Sequence, residues 1–184
     1  MENMPEFNLH RPQTAAEAVK LKASDATSRY LAGGTDMIVN VRRGIETPGT
    51  MIDLTAITEI TAISVGDGDL QIGAGVKLAK LATDENILRD YPAVAQAAAS
   101  VAGPTHRSYG TMGGNLCLDT RCLFYNQSQW WRESNNFCLK HKGEICHVAP
   151  GGKRCFAAFS GDVAPAMMVY GAQVDLEGPG GVRT

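Results

Sequence analysis

At 184 residues the chain holds one sizeable domain or two small ones packed together, which excludes a large multidomain assembly. Apolar residues make up 44% and charged residues 20%, enough to bury a core, while a net charge of −2 leaves no basic surplus to neutralise a nucleic-acid backbone. No apolar run approaches the roughly 18 residues that span a bilayer. The opening MENMPEFNLHRP lacks the charged-then-apolar layout of a signal peptide. The expected setting is the cytoplasm, with neither membrane nor nucleic acid as partner.

In chain order, Glu6 to His10 reads as a short strand, and Thr14-Ala-Ala-Glu17 supplies a capping box for a helix to about Leu21, with Ala18 and Leu21 inward. Ser28 to Ala32 is a strand that enters Gly33-Gly34-Thr35-Asp36. Asp36 to Arg43 has helical spacing and is ended by Gly44. Met51 to Leu54 is a short buried strand. A second lobe begins near Ile57, where Thr61 to Val65 and Leu70 to Ala74 alternate about Gly66-Asp-Gly-Asp69 as a hairpin. Helices follow at Leu78 to about Leu88 and at Ala93 to about Val101. Two α/β lobes are therefore expected, 1–56 and 57–184, the second carrying an irregular insertion over about 118–158. Ala166 to Leu176 reads as a mostly apolar strand, Gly178-Pro-Gly-Gly181 as a turn, and Val182 to Thr184 as the start of a returning strand. A hairpin cut in its second arm reads as a fragment lacking its C-terminal part.

Two features carry chemistry. Glycine is 20 of 184 residues, above the usual ~7%, and Leu31-Ala32-Gly33-Gly34-Thr35-Asp36 sets a glycine pair between a strand and a helix start. Backbone amides can converge there on an anion, although a plain tight turn is the other reading. Tyr109-Gly110-Thr111-Met112-Gly113-Gly114-Asn115 repeats that chemistry, with Thr111 and Asn115 able to donate side-chain hydrogen bonds. Two such loops suit a ligand with two phosphates. Asp162 can accept hydrogen bonds from ligand hydroxyls or cap a helix.

All five cysteines fall between Cys117 and Cys155, which in a cytosolic protein favours a metal or redox site over a disulfide framework. Cys122, Cys138, Cys146 and Cys155 are separated by 16, 8 and 9 positions, unlike compact CxxC motifs. Cys117 follows the second glycine loop directly and is expected to pack as a small hydrophobe; the other four are candidate metal ligands, with free buried cysteines the other reading. Lys140, Lys142, Lys153 and Arg154 lie near enough in sequence to offset thiolate charge. His141 and His147 keep a mixed-ligand zinc site open. Trp130 and Trp131 are expected to pack the insertion onto its neighbour, and His106 and Arg107 to serve packing or an interface. No Ser/His/Asp or paired-carboxylate arrangement is present to suggest a catalytic residue.

The ordered set LAGGTD (31–36), GTMGGN (110–115) and GDVAPAM (161–167) resembles the FAD-binding medium subunits of the molybdenum hydroxylases, the xanthine dehydrogenase and carbon monoxide dehydrogenase group. The resemblance implies an α+β fold of the vanillyl-alcohol-oxidase, or PCMH, type. It implies that FAD is wrapped by Leu31, Ala32, Gly33, Gly34, Thr35 and Asp36 and by Thr111, Met112, Gly113, Gly114 and Asn115, with Asp162 and Val101 also near the cofactor. The long insertion, with GPTHR (103–107), NQSQWWR (126–132) and CHV (146–148), is similar to the medium subunits of 4-hydroxybenzoyl-CoA reductases. That likeness implies a 4Fe-4S cluster on Cys122, Cys138, Cys146 and Cys155. It also implies a large molybdopterin subunit, a small 2Fe-2S subunit, a ferredoxin electron donor and a dimer of heterotrimers. Two other readings are a xanthine-dehydrogenase-like flavin subunit using NAD, with a decorative insertion, and a zinc-stabilised interaction module with merely structural glycine loops.

Overall fold

The computed structural model describes residues 4–66 and 69–184. In chain order it contains β1 (Asn8–His10), α1 (Ala15–Ser24), β2 (Arg29–Leu31), α2 (Met37–Arg42), β3 (Thr50–Asp53), β4 (Ile63–Gly66) and β5 (Asp69–Ile72). Then come α3 (Leu78–Leu81), α4 (Glu85–Asp90), α5 (Pro92–Ser100), α6 (Pro104–Tyr109), α7 (Met112–Leu116), α8 (Gln129–Ser134), α9 (Val163–Val169), β6 (Leu176–Gly178) and β7 (Gly181–Arg183). The chain forms two compact units. The larger comprises Phe7–Thr35, Pro48–Cys117 and Gly161–Thr184; the smaller comprises Asp36–Thr47, Leu118–Ser160 and the described part of Met1–Glu6. The boundary read near residue 57 falls inside Pro48–Cys117, within the larger unit.

In the larger unit, β1, β3 and β2 form a parallel sheet with β3 in the centre. Met51 and Ile52 on β3 are fully buried, as a central parallel strand covered on both faces requires. Helix α1 begins at the expected cap: Thr14 Oγ1 accepts the Glu17 N–H at 3.1 Å, and the Glu17 carboxylate accepts the Gln13 N–H at 2.9 Å. Ala18 is buried against Ile52 and Ile57, with Leu21 packed beside them. The β4–β5 hairpin is antiparallel, Ile63 opposite Ile72 and Gly66 opposite Asp69. The turn residues Asp67 and Gly68 lie outside the described residues. A second core joins Val76, Leu78, Leu81, Ile87, Val94 and Met112.

Two expectations are corrected. The helix expected from Leu78 to Leu88 is two helices, because the Asp84 carboxylate accepts the N–H groups of Asn86 and Ile87 at 3.1 and 3.3 Å and starts a new N-terminus. The strand expected from Ala166 is instead helix α9. Pro165 stands at its third position, where no intrahelical N–H bond is forfeited, and Val163, Ala166 and Met167 place a helical stripe on the core. Strand structure is confined to Leu176–Gly178, which pairs antiparallel with Gly181–Arg183.

The smaller unit has little regular structure beyond α2 and α8. Its loops are tied by backbone pairs between Arg121 and Ala158 and between Leu139 and Ile145. Among the described residues no helix is long and apolar enough to cross a membrane.

Candidate functional site

The two glycine loops meet in the larger unit. A Cβ on Gly33 would overlap the carbonyl of Tyr109, so only glycine permits this approach. Gly34, at φ +73°, takes the left-handed turn that carries the chain onward from β2. Leu31 ends β2, while Ala32 and Thr35 complete the loop, Thr35 exposed.

The second loop is held in place by the segment Ala74 to Leu78. Leu78 N–H donates to Gly110 O at 3.0 Å, Met112 N–H to Val76 O at 2.8 Å, and Gly113 N–H to Ala74 O at 2.8 Å. A Cβ at Gly113 would come within 2.8 Å of the Ala74 Cβ. Thr111 caps α7 by accepting the Gly114 N–H at 3.1 Å. Thr111, Met112 and Asn115 are buried, while Gly114 is exposed. Asn115 joins the third motif: its Oδ1 accepts the Val163 N–H at 3.0 Å and its Nδ2 donates to Asp162 Oδ2 at 3.4 Å. Asp162 makes no capping bond to α9, so of the two roles open to it, the cap is not the one adopted.

Val101, half-buried at the end of α5, packs on the same core. Arg107 is a packing residue, as expected: its guanidinium donates to the carbonyls of Val101 and Ala102 at 2.9 and 2.8 Å and holds Ala102 at a left-handed φ of 42°. Lys77 was not singled out in the sequence, yet its ammonium donates to Tyr109 O at 3.0 Å and so brings a positive charge to the meeting point of the loops. A lone lysine before a helix carries no motif that could have flagged it.

Asp36 belongs to the smaller unit. It is ion-paired with Arg121 and accepts from Asn40 Nδ2 at 2.9 Å. Backbone links join, in two pairs, segments of Leu118–Ser160 that bear cysteines. Cys122 follows the Arg121–Ala158 pair, and Leu139 N–H bonds Ile145 O at 3.0 Å, bringing the segments of Cys138 and Cys146 side by side. The N–H groups of Ala149, Phe156 and Val148 point at the Cys146 thiol and hold it below the usual thiol range, against the opposing effect of burial. Cys155 Sγ accepts the Ala157 N–H at 3.4 Å. At Cys146 the amide bonds favour thiolate sulfur. The four thiols nevertheless do not close: among the described residues no three His, Cys, Asp or Glu side chains form a metal-holding group.

Cys117 is exposed, so its expected packing as a small hydrophobe is not adopted. Trp130 is likewise exposed, at 73%, which corrects its expected packing role, whereas Trp131 lies 6.3 Å from the Phe124 ring. His147 bonds Phe137 O through Nε2, and His141 packs against Tyr125 and Phe137. Burial, then the charges of Arg132 and Lys142, push His141 below the usual imidazole value.

Loops that converge through glycine, with a cation at their junction, define a backbone cradle suited to an anionic ligand. Residues 5–184 match the family described as FAD binding domain in molybdopterin dehydrogenase, and the chain belongs to that family. It is 35% identical over 109 residues to the xanthine dehydrogenase FAD-binding subunit of Escherichia coli O157:H7, covering 59% of this chain and 37% of that one. It is 31% identical over 190 residues to the aldehyde oxidoreductase FAD-binding subunit PaoB of Escherichia coli K12, covering 97% of this chain and 58% of that one. Among solved structures, carbon monoxide dehydrogenase from Hydrogenophaga pseudoflava superposes with a TM-score of 0.61 at 29% identity, over 62% of this chain and 40% of that one. Quinoline 2-oxidoreductase from Pseudomonas putida 86 gives 0.60 at 29% identity, over the same shares. The chain thus spans 37 to 58% of the length of these two curated relatives.

Proposed function

We propose that this chain is the flavin module of a molybdenum hydroxylase-type oxidoreductase in the cytoplasm and that its insertion carries a 4Fe-4S cluster. Cys122, Cys138, Cys146 and Cys155 would hold the cluster, which would supply one-electron transfer between a ferredoxin donor and FAD, with a small 2Fe-2S subunit and a large molybdopterin subunit as partners in a dimer of heterotrimers. The reaction served is the reductive dehydroxylation of 4-hydroxybenzoyl-CoA, which consumes two electrons and two protons and gives benzoyl-CoA and water. The chain's own part is to bind, orient and tune the cofactors, which carry the redox chemistry. FAD sits on a fold of the PCMH type, its pyrophosphate cradled by Ala32 to Asp36 and Thr111 to Asn115, with Asp162 and Val101 alongside.

The observation that carries the reading is the linked set of four cysteines inside an FAD-binding domain of this family. Cys146 and Cys155 accept backbone N–H bonds at sulfur, which supports thiolate ligation, although the four thiols do not meet in a metal-holding group among the described residues.

A second reading keeps the flavin and changes the substrate, making the chain the FAD subunit of a xanthine-dehydrogenase-like hydroxylase that uses NAD. The 97% coverage by the aldehyde oxidoreductase subunit favours it, since that alignment runs through the insertion. The family match speaks against merely structural glycine loops in a zinc module. The intact complex, given a reduced low-potential donor, is expected to form benzoyl-CoA from 4-hydroxybenzoyl-CoA. Oxidation of an aldehyde or purine with NAD reduction, and no benzoyl-CoA, would select the second reading.

A further inference from the structure

Lys77 stands between two core residues. Val76 and Leu78 are 1% and 3% exposed and pack in one cluster, while Lys77 between them is extended, at φ −70° and ψ 141°. Side chains alternate along an extended segment, so the lysine stem leaves on the side away from that core. Its place beside the second glycine loop is fixed by the backbone: Lys77 pairs antiparallel with Thr111, flanked by the bonds from Met112 N–H to Val76 O at 2.8 Å and from Leu78 N–H to Gly110 O at 3.0 Å. The ammonium donates to Tyr109 O at 3.0 Å. That oxygen is the one a Cβ on Gly33 would overlap, so the cation rests on the carbonyl against which the first loop closes.

An anion at this junction would find no other cation in the motifs. Within the larger unit the motif residues 31–35, 110–115 and 161–167 include one carboxylate, Asp162, and neither lysine nor arginine. Arg107 is turned to the carbonyls of Val101 and Ala102. Amides of glycine loops bring donors and partial charge to an anion, but no full charge to set against a diphosphate. An ammonium has three donors. That of Lys77 spends one on a neutral carbonyl, and among the described residues no carboxylate is ion-paired with it.

We propose that Lys77 is the phosphate-binding cation of the flavin cradle, keeping one N–H on Tyr109 O and presenting the other two to the diphosphate oxygens of FAD. This rests on the reading of the two glycine loops as the FAD site. The tie to Tyr109 holds a long side chain in place before the cofactor arrives, so less rotamer freedom is lost on binding. Lysine suits the role as a point charge that needs no planar, two-pronged partner. Because the side chain is only half-buried, its effect on an anion is open to screening by salt.

The test is titration of FAD into the flavin-free intact complex, followed by flavin fluorescence, for wild type, Lys77→Gln, Lys77→Arg and Gly114→Val. It is run at about 10 mM and about 1 M salt, between which the screening length falls from about 30 to about 3 Å. Lys77→Gln keeps a donor for Tyr109 O and loses the charge; it is expected to weaken FAD binding about tenfold or more at low salt and at most about threefold at high salt. A smaller loss at low salt overturns the proposal. So does a loss that persists undiminished at high salt, which is what a purely structural tie to Tyr109 would give. Lys77→Arg, which keeps the charge, is expected to stay within about threefold of wild type; a greater loss overturns the proposal, and this variant decides alone should Lys77→Gln not fold. Gly114→Val separates the two possible failures. If wild type takes up no FAD, or Gly114→Val binds it as wild type does, the glycine-loop reading falls and this proposal with it. Weakened binding in Gly114→Val with unchanged binding in Lys77→Gln keeps the loops and overturns the role of Lys77 alone.

Discussion

Gly33 and Gly114 look alike in the sequence and differ in what a side chain would meet. At Gly33 a Cβ collides with the Tyr109 backbone, whereas at Gly114 it comes 3.0 Å from the Thr111 hydroxyl, a side chain that can turn away. Substitution at Gly33 therefore reports on folding as well as binding, and Gly114→Val is the cleaner probe of the proposed amide approach to the FAD pyrophosphate. Gly114→Val is expected to lower flavin content by at least about tenfold with thermal unfolding near wild type. Unchanged flavin content would remove the second loop from the binding site. Asp53 makes a different residue-scale prediction. Its burial works to raise its pKa, but bonds from the Thr55 hydroxyl and N–H at 2.7 and 3.0 Å and from Arg11 at 3.1 Å outweigh this and hold it below the usual carboxylate value. Because the folded value lies below the unfolded one, this stabilisation is complete above about pH 4 and is lost as pH falls through the folded value. Asp53→Asn is expected to cost about 1–3 kcal/mol at pH 7. Urea unfolding should show the gap from wild type narrowing below pH 4, and a gap independent of pH would exclude this role for the carboxylate.

Helices here begin where a side chain supplies the missing acceptor. Asp84 splits the expected helix from Leu78 to Leu88 by capping α4, so Asp84→Ala is expected to destabilise the larger unit by about 1 kcal/mol. Asp84→Asn, which keeps an acceptor, should recover most of that loss in chemical denaturation; no difference between the two would deny the cap. The cap at Thr14, the hairpin about Gly66 and the glycine-ended α2 were all legible in the sequence, because each is a local competition settled within four or five residues. The segment from Ala166 was not. Its apolar run fits either period, and helix is selected by two contacts invisible locally: Asn115 receiving the Val163 N–H across 48 positions, and the core into which Val163 packs. Likewise the glycine loops were legible as motifs, while Lys77 at their junction was not, since its place depends on Tyr109 arriving beside it.

At the scale of the molecule, membership of the FAD-binding family covers residues 5–184, and four of the five cysteines fall in the segment Leu118–Ser160 of the smaller unit. Long separations between Cys122, Cys138, Cys146 and Cys155 add only slowly to the entropy of closing loops around a shared ligand, and the backbone pairs at Arg121–Ala158 and Leu139–Ile145 already draw those segments together. On the proposed reading a metal centre would supply what the thiols lack, a point on which to converge, and its binding would be coupled to closure of this segment. Cys117 belongs to the larger unit, exposed and next to the second glycine loop. The most direct test is iron and acid-labile sulfide per FAD in the intact complex, compared between wild type and alanine variants at each of the five cysteines. Cys117→Ala is expected to keep the full wild-type iron content, while alanine at Cys122, Cys138, Cys146 or Cys155 removes or degrades one four-iron cluster and leaves FAD largely in place. Iron loss in Cys117→Ala with full retention in Cys122→Ala, or iron unchanged in all five, would contradict the account.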